Sequence, residues 1–283
     1  MSGLLCFLND RFIPLSEATI PVNDLGLQRG YGIFDFLRIT DGVPLFLEDH
    51  LDRFYQSAEK MRLFIPLNRD EMRSIIKELL QKNGLDHAGV KLLLTGGPTS
   101  DGYSLTGTPN LLISEQLIPS PPDTIFLPGY KLVSYPHRRQ VPEVKTTDYL
   151  MAIHLQPWVK ENGADDILYH QNGIISECPR SNFFIVTKDN VLVTASENIL
   201  KGITRKQLLS IASRIKINVE EREVSLNDVR HAKEAFITSS TKRLIPVIKL
   251  DDHLFAPFSE NSVTARLYNA FKEWEFSAIH GDR

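Results

Sequence analysis

Two short runs decide how this chain is read: Val141-Pro142-Glu143-Val144-Lys145-Thr146-Thr147-Asp148-Tyr149 and Ile175-Ser176-Glu177-Cys178-Pro179-Arg180-Ser181-Asn182-Phe183-Phe184. The first holds an amine, Lys145, in a polar context; the second holds a carboxylate, Glu177, after a strand-like segment. Either residue alone reads as a solvated surface group, the ordinary fate of lysine and glutamate. Asn172-Gly173, between Ile167–His170 and Ile174–Ser176, is a strong two-residue hairpin signal, so Glu177 is expected where a strand runs out.

Working outward from these runs, the segments on either side alternate between strand-like and helical patterns. Asp24-Leu25-Gly26-Leu27-Gln28-Arg29-Gly30-Tyr31-Gly32-Ile33-Phe34-Asp35 packs three glycines into seven residues and is expected as a loop that presents Arg29 and Tyr31. Leu51, Phe54, Ala58 and Met61 recur at helical spacing, which predicts a helix over 48–62. Met72, Ile75, Ile76, Leu79 and Leu80 predict a second one that ends at Gly84. Residues 90–95 and 111–114 read as short buried strands, and Gly96 to Tyr103 as a turn-rich loop. Beyond residue 125, Pro157 is expected to interrupt a helix over 149–162, and residues 183–187 and 191–194 read as a strand pair. Thr204 is expected to cap a helix that carries Leu208, Leu209, Ala212 and Ile215, and 235–237 and 244–250 read as further strands. An amphipathic helix through Val263, Leu267, Phe271 and Trp274 closes the chain.

These patterns describe an α+β protein of two domains. Ile118-Pro119-Ser120-Pro121-Pro122 disfavours helix and favours an extended connection, so the expected division is 1–118, a Pro-rich linker over 119–124, and 125–283. At 283 residues the chain is long enough for two substantial cores.

Bulk properties exclude several functions. With 32 basic and 35 acidic residues, a formal net charge of -3 and interleaved signs, there is no electrostatic footprint for nucleic acid or an acidic membrane. Neither a signal peptide nor an apolar run of ~18 residues is visible, so the cytoplasm is the expected location. Cys6 and Cys178 lack zinc-site spacing and read as reduced thiols. The eight histidines include no His-Glu-x-x-His, so no metal is expected. There is no Walker loop and no Gly-x-Gly-x-x-Gly.

What remains is a phosphate signal. Gly202-Ile203-Thr204 opens a helix whose first N–H groups are free, and Ser239-Ser240 leaves the end of a strand with two hydroxyls. Neither is specific alone, since most capped helices and Ser/Thr turns bind only water. Their order along the chain is more informative: His50-Leu51-Asp52-Arg53, Lys145, Glu177 followed by Ser181-Asn182-x-Phe184, Lys201-Gly202-Ile203-Thr204-Arg205, then Thr238-Ser239-Ser240-Thr241.

Together these pieces resemble the class IV, or fold type IV, pyridoxal-phosphate aminotransferases over essentially the whole chain. D-amino acid aminotransferases are nearest, with branched-chain aminotransferases and 4-amino-4-deoxychorismate lyases as siblings. The resemblance implies a smaller N-terminal α/β domain and a larger cofactor-binding domain with a β-barrel-like core and flanking helices. It also implies a homodimer and small-molecule partners, an amino acid and a 2-oxo acid. Pyridoxal 5'-phosphate would be the cofactor, Lys145 the amine that joins its aldehyde and moves protons, and Glu177 the anion beside its ring nitrogen. Arg53, Ile203, Thr204 and Ser240 would hold the phosphate, Tyr149 would donate to the phenolic oxygen, and Phe34 would line the substrate pocket. A surface ion pair for Arg53 and core aromatics for Tyr149 and Phe34 are the plain alternatives.

The chain departs from these relatives in one loop. D-amino acid aminotransferases hold the substrate carboxylate with an Arg-x-His pair there, whereas residues 95–105 carry Ser100-Asp101-Gly102-Tyr103, and an ionised Asp101 repels a carboxylate. Arg180 and Arg29 are the candidate replacements, with Arg29 acting across the dimer interface. The Asp-Gly-Tyr-Ser run is similar to an Arg-Gly-Tyr-Ser run of the lyases but lacks its arginine. A degenerate relative that binds without catalysis is the reading of another class, and the filled cofactor positions weigh against it.

Overall fold

A computed structural model describes residues 3–118, 129–255 and 259–281. The chain forms two compact units, Met1–Ser120 with Val144–Asp148, and Pro121–Glu143 with Tyr149–Arg283. The Pro-rich stretch expected as a linker, 119–124, lies outside the described residues.

In the first unit the order is β1 (Leu5–Leu8), β2 (Arg11–Pro14), α1 (Leu25–Arg29), β3 (Gly32–Thr40), β4 (Val43–Pro44), α2 (Leu47–Lys60), α3 (Arg69–Asn83), β5 (Ala88–Thr95) and β6 (Leu111–Leu117). The strands make one antiparallel sheet, β2-β1-β6-β5-β3-β4. Ile33, Leu37, Ile39, Val90, Leu92, Leu94, Leu111 and Ile113 alternate onto one face. There they are buried with Leu51 and Phe54 of α2 and with Met72, Ile76 and Leu79 of α3. The other face carries half-buried Phe34, Phe36, Lys91, Leu93 and Ser114.

Both helices match their apolar spacing. α3 starts in a capping box between Asn68 and Glu71 and stops at Gly84, whose φ is +64°. Asp41 and Gly42 both have positive φ, the backbone of the turn that joins β3 to β4. The glycine-rich stretch 24–35, expected as a loop, is instead a short helix followed by the longest strand of the sheet. Asp24 caps α1 by accepting from the Gly26 N–H, Gly30 ends it in the left-handed region, and Gly32 begins β3. These glycines serve close packing as well as turning. A Cβ at Gly32 would lie 2.9 Å from the Leu94 carbonyl oxygen and 3.3 Å from Thr147 Oγ1.

In the second unit the order is β7 (Tyr130–Pro136), α4 (Leu150–His154), α5 (Gln156–Glu161), β8 (Asp166–Gln171), β9 (Ile174–Ile175), β10 (Glu177–Cys178), β11 (Ser181–Val186), β12 (Leu192–Ala195), α6 (Ile203–Arg214), β13 (Val219–Arg222), α7 (Leu226–His231), β14 (Glu234–Ser239), β15 (Arg243–Leu250), β16 (His253–Leu254) and α8 (Val263–His280). Among the described residues, the ten strands of this unit belong to one sheet whose main path is β13-β12-β11-β14-β15-β7-β8-β9, with β10 on β11 and β16 on β15. Its parallel pairs, β12 with β13 and β7 with β8 and β15, need the helical crossovers that the chain supplies.

Asn172 and Gly173 form the β8–β9 turn with both φ values positive, as their sequence demands. Pro157 divides the helix over 149–162 into α4 and α5. It sits in the first turn of α5, where its missing N–H is harmless. Two details differ from the sequence reading. Glu177 opens a strand of its own, β10, hairpinned to β11, rather than trailing off the end of one. The N-cap of α6 is Gly202, with Thr204 buried inside the first turn. The cap position is crowded: a Cβ at Gly202 would lie 2.2 Å from Asn182 Oδ1.

Gly32→Ala is expected to lower the denaturation midpoint by the equivalent of about 1–3 kcal/mol, the usual effect of overpacking. An unchanged midpoint in urea would show that the contact of β3 with Leu94 and Thr147 is slack.

Candidate active site

The segment 144–148 lies along the N-terminal half of β3, on the edge that β4 leaves unpaired. Phe34 N–H donates to the Lys145 carbonyl at 2.9 Å, Thr147 N–H donates to the Gly32 carbonyl at 2.9 Å, and Ile33 bridges Thr146. Thr147 Oγ1 adds a bond to the Gly30 carbonyl at 2.8 Å, and Val144 is fully buried in the first core. Lys145 is thereby placed by main-chain pairing, and its Nζ lies 4.4 Å from the centre of the Phe34 ring.

Next to Phe34 in sequence but on the opposite face, Asp35 is fully buried. Arg53 donates to it twice, Nε to Oδ2 and Nη2 to Oδ1, both at 2.8 Å. His50 Nδ1 lies 2.6 Å from Asp35 Oδ1. Burial alone would raise the Asp35 carboxyl, but the Arg53 guanidinium and His50 outweigh it and hold the group far below the usual carboxylate range. Burial lowers the His50 imidazole; the Asp35 charge pulls it back up, while Arg53 and Lys145 push it further down. His50 and Arg53 are three apart on α2, so one helix face delivers both to one carboxylate. The pair leaves Arg53 Nη1 with protons to donate elsewhere.

In the second unit Glu177 is buried. Its Oε1 accepts from Arg139 Nε at 2.9 Å and Nη2 at 2.6 Å, and its Oε2 accepts from the Leu200 N–H at 3.0 Å. Arg139 Nη2 also donates to the Pro142 carbonyl, which ties the guanidinium to its own loop. The carboxylate is therefore fixed on two sides. Ile203 and Thr204 open α6, whose N-terminus has no side-chain cap. On the neighbouring strands the buried hydroxyls Ser181 Oγ and Thr238 Oγ1 have no hydrogen-bond partner, and Ser240 sits half-buried in the turn after β14. Free helix N–H groups, a glycine cap that admits no side chain and orphaned hydroxyls form a donor set that fits a phosphate. Tyr149 precedes α4 at its N-cap and is half-buried.

Arg180 and Arg29 are both exposed. Arg180 occupies the two-residue turn between β10 and β11, and Arg29 ends α1. A Cβ at Gly102 would lie 3.3 Å from Arg29 Nη2, so the 96–105 loop lies against that guanidinium. Asp101 belongs to the loop itself. Its oxygens accept from Ser104 Oγ and N–H, Thr99 Oγ1 and the Tyr103 N–H, and these bonds hold its carboxyl well below the usual range. It stays ionised and is committed to bonds within its own loop.

Residues 32–250 match the family model described as amino-transferase class IV. The chain belongs to the class IV aminotransferase family. Enzymes of this family depend on pyridoxal phosphate. The chain is 32% identical over 277 residues to a putative branched-chain-amino-acid aminotransferase of Methanocaldococcus jannaschii, which covers 94% of this chain and 95% of that one. It is 30% identical over 275 residues to a D-alanine aminotransferase of Listeria innocua, covering 94% of each. The crystal structure of the Escherichia coli branched-chain amino acid aminotransferase superposes with a TM-score of 0.88 at 22% identity, over 96% of this chain and 94% of that one, and shows the shared fold type IV architecture.

Sequence reasoning passed over Asp35 and Arg139. Asp35 had a signal: it is the one acid at an inward position of Ile33-x-Asp35-x-Leu37-x-Ile39. Arg139 had none, because it stands in an irregular segment beside Arg138.

Asp35→Asn is expected to cost about 3 kcal/mol, because Arg53 loses its buried partner. The sign for His50 follows from its lowered pKa. The unfolded chain binds the proton first, so wild-type stability falls as pH drops below about 6.5, the unperturbed value. The Asp35 contribution is lost only at far lower pH. Thermal melts between pH 8 and pH 5 should show a steeper loss in wild type than in His50→Gln; parallel curves would contradict the assignment.

Proposed function

We propose that this protein is a pyridoxal-phosphate-dependent aminotransferase that moves an amino group between an amino acid and a 2-oxo acid, with D-amino acids as favoured donors. What supports the reading most is the placement of Lys145: its main chain is pinned along β3, and its ammonium lies over Phe34 within electrostatic reach of the Asp35–His50–Arg53 network. The D-alanine aminotransferase relatives support the choice of donor.

When bound, pyridoxal phosphate supplies an electron sink for the bonds of the substrate Cα. Lys145 would hold the group through its aldehyde and would move a proton at the substrate Cα. Glu177 would hold the proton on the ring nitrogen. Arg139 and the Leu200 N–H keep the carboxylate at that task by fixing its orientation, a positioning role. Arg53 donates to the phosphate, and Asp35 sets the plane of the guanidinium from behind. Ile203 and Thr204 offer main-chain N–H groups with the positive end of α6, and Ser240 adds its hydroxyl. Tyr149 donates to the phenolic oxygen, and Phe34 borders the substrate. Arg180, with Arg29 from the second protomer of a homodimer, takes the substrate carboxylate in place of the absent Arg-x-His pair.

In a coupled assay with D-alanine, L-leucine and 2-oxoglutarate, D-alanine is expected to react fastest. Lys145→Ala should lower the rate by at least ~10³-fold, the scale expected for losing a covalent catalyst. Arg29→Ala and Arg180→Ala should each raise the donor KM about ten-fold with smaller effects on kcat, as loss of ground-state binding requires. A rate confined to L-leucine would favour branched-chain specificity, and pyruvate release from aminodeoxychorismate without transamination would favour the lyase. Unchanged donor affinity in both arginine variants would remove them from the site.

A further inference from the structure

On the proposed function, the phosphate donors of the second unit come from two separate elements, the N-terminus of α6 and the turn that carries Ser240 from β14 to β15. One phosphate can accept from both only if their spacing is held, because hydrogen bonds weaken steeply with length and angle. The helix α8 touches both elements through two neighbouring residues. Trp274 Nε1 donates to Gln207 Oε1, in the second turn of α6, at 3.0 Å, and the Arg214 guanidinium at the far end of α6 lies 4.2 Å from the centre of the indole ring. Glu275 Oε2 accepts from Arg243 Nε at 2.6 Å, and Arg243 opens β15 opposite Ser239. At its other end α8 is fastened to the start of β14. There Glu234 Oε1 accepts from the Val263 N–H at 3.1 Å, and its Oε2 accepts from the Thr264 N–H at 2.9 Å and Oγ1 at 2.7 Å.

As a device for stability alone, the Arg243–Glu275 pair is inefficient. Its side chains are 13% and 4% exposed, so both charges have lost most of their water. Arg243 Nη1 is buried with no hydrogen-bond partner among the described residues. The Arg243 backbone also lies in the left-handed region, with φ +58°, which is unfavourable for a residue other than glycine. Packed apolar residues are often as stable as a buried ion pair, or more so; what a directional pair adds is a fixed register. The residue before Arg243 ties the same turn to other strands: Lys242 Nζ lies 4.8 Å from the centre of the Tyr130 ring on β7 and 3.9 Å from Asp166 Oδ2 on β8. The exit of the Ser240 turn is therefore anchored by two consecutive cations, one to the sheet and one to α8.

Resting on the aminotransferase reading, we propose that Arg243 and Glu275 are positioning residues for the cofactor phosphate. Their ion pair, together with the Trp274–Gln207 bond, makes α8 a splint that holds the Ser240 turn at the distance from the α6 N-terminus that one phosphate spans. Neither residue is assigned a contact with the reacting atoms. The strained backbone at Arg243 suits this role, since such a conformation persists where the surrounding contacts determine it, and Glu275 and the Ser239 pairing do so here. Loss of the pair would free the turn relative to α6 and weaken the hold on a phosphate, while leaving contacts to the rest of the cofactor in place.

The test titrates the full-length protein, stripped of cofactor, with pyridoxal 5'-phosphate and with pyridoxal, which lacks the phosphate, and follows binding by absorbance. Two variants are compared with wild type: Arg243→Met combined with Glu275→Leu, which leaves no unpaired buried charge, and Glu275→Gln, which keeps an acceptor for Arg243. The double variant is expected to keep the wild-type urea midpoint and to bind pyridoxal 5'-phosphate about ten-fold or more weakly, the scale of one hydrogen bond to a charged group, with pyridoxal affinity within about two-fold of wild type. Glu275→Gln should show a smaller loss of the same kind. Unchanged affinity for pyridoxal 5'-phosphate in the folded double variant overturns the proposal. So does an equal loss for both ligands, which reports general damage rather than a displaced phosphate donor. Should the double variant fail to fold, Glu275→Gln decides alone: a several-fold loss confined to the phosphorylated ligand supports the proposal, and an unchanged or equal response overturns it. A wild-type protein that binds no pyridoxal 5'-phosphate would instead defeat the aminotransferase reading on which the proposal rests.

Discussion

The site depends first on the pairing of residues 145–147 with the open edge of β3. On the proposed function Lys145 meets an aldehyde and then moves a proton, a task that needs a backbone that does not wander, because misplacement by an ångström is enough to lose much of the gain from proximity. Here the constraint is met by main-chain hydrogen bonds from Phe34 and Thr147, by the Thr147 hydroxyl and by burial of Val144. The Lys145 side chain leaves this fixed backbone with its ammonium over the Phe34 ring. β3 in turn carries Phe34 on one face and Asp35 on the other.

Asp35 shows how a buried charge is made tolerable and put to use. Taking a carboxylate out of water is expensive, and the expense is offset only because a bidentate guanidinium and an imidazole meet it with good geometry. The result is an Arg53 held rigid from behind, an arrangement suited to an anion that approaches from the front. Glu177 and Arg139 repeat the pairing, and on the proposed function the roles are exchanged: the arginine is the support and the carboxylate the working group. In both pairs the residue that supports was harder to see in the sequence than the residue it serves.

Much of the fold was legible because its elements carry strong local signals. The spacing of Leu51, Phe54 and Ala58, the Gly84 stop, the Asn172-Gly173 turn and the Pro157 break all appear in the structure where local physics puts them. The glycine-rich stretch 24–35 was misleading because glycine density reports either turning or close approach. Gly32 is required for close approach inside a strand. Thr204 drew attention as a cap because a threonine near a helix start often is one, but Gly202 takes that position with Asn182 packed against it. Pairing between distant segments, such as 145–147 with β3, leaves no periodic trace and needed the structure.

The central claim is that Lys145 is the residue that joins pyridoxal phosphate. Borohydride reduction of the purified protein followed by peptide mass mapping tests it directly. The account predicts a phosphopyridoxyl mass on the peptide containing Lys145. The label on a different lysine, or no label after incubation with the cofactor, would contradict it.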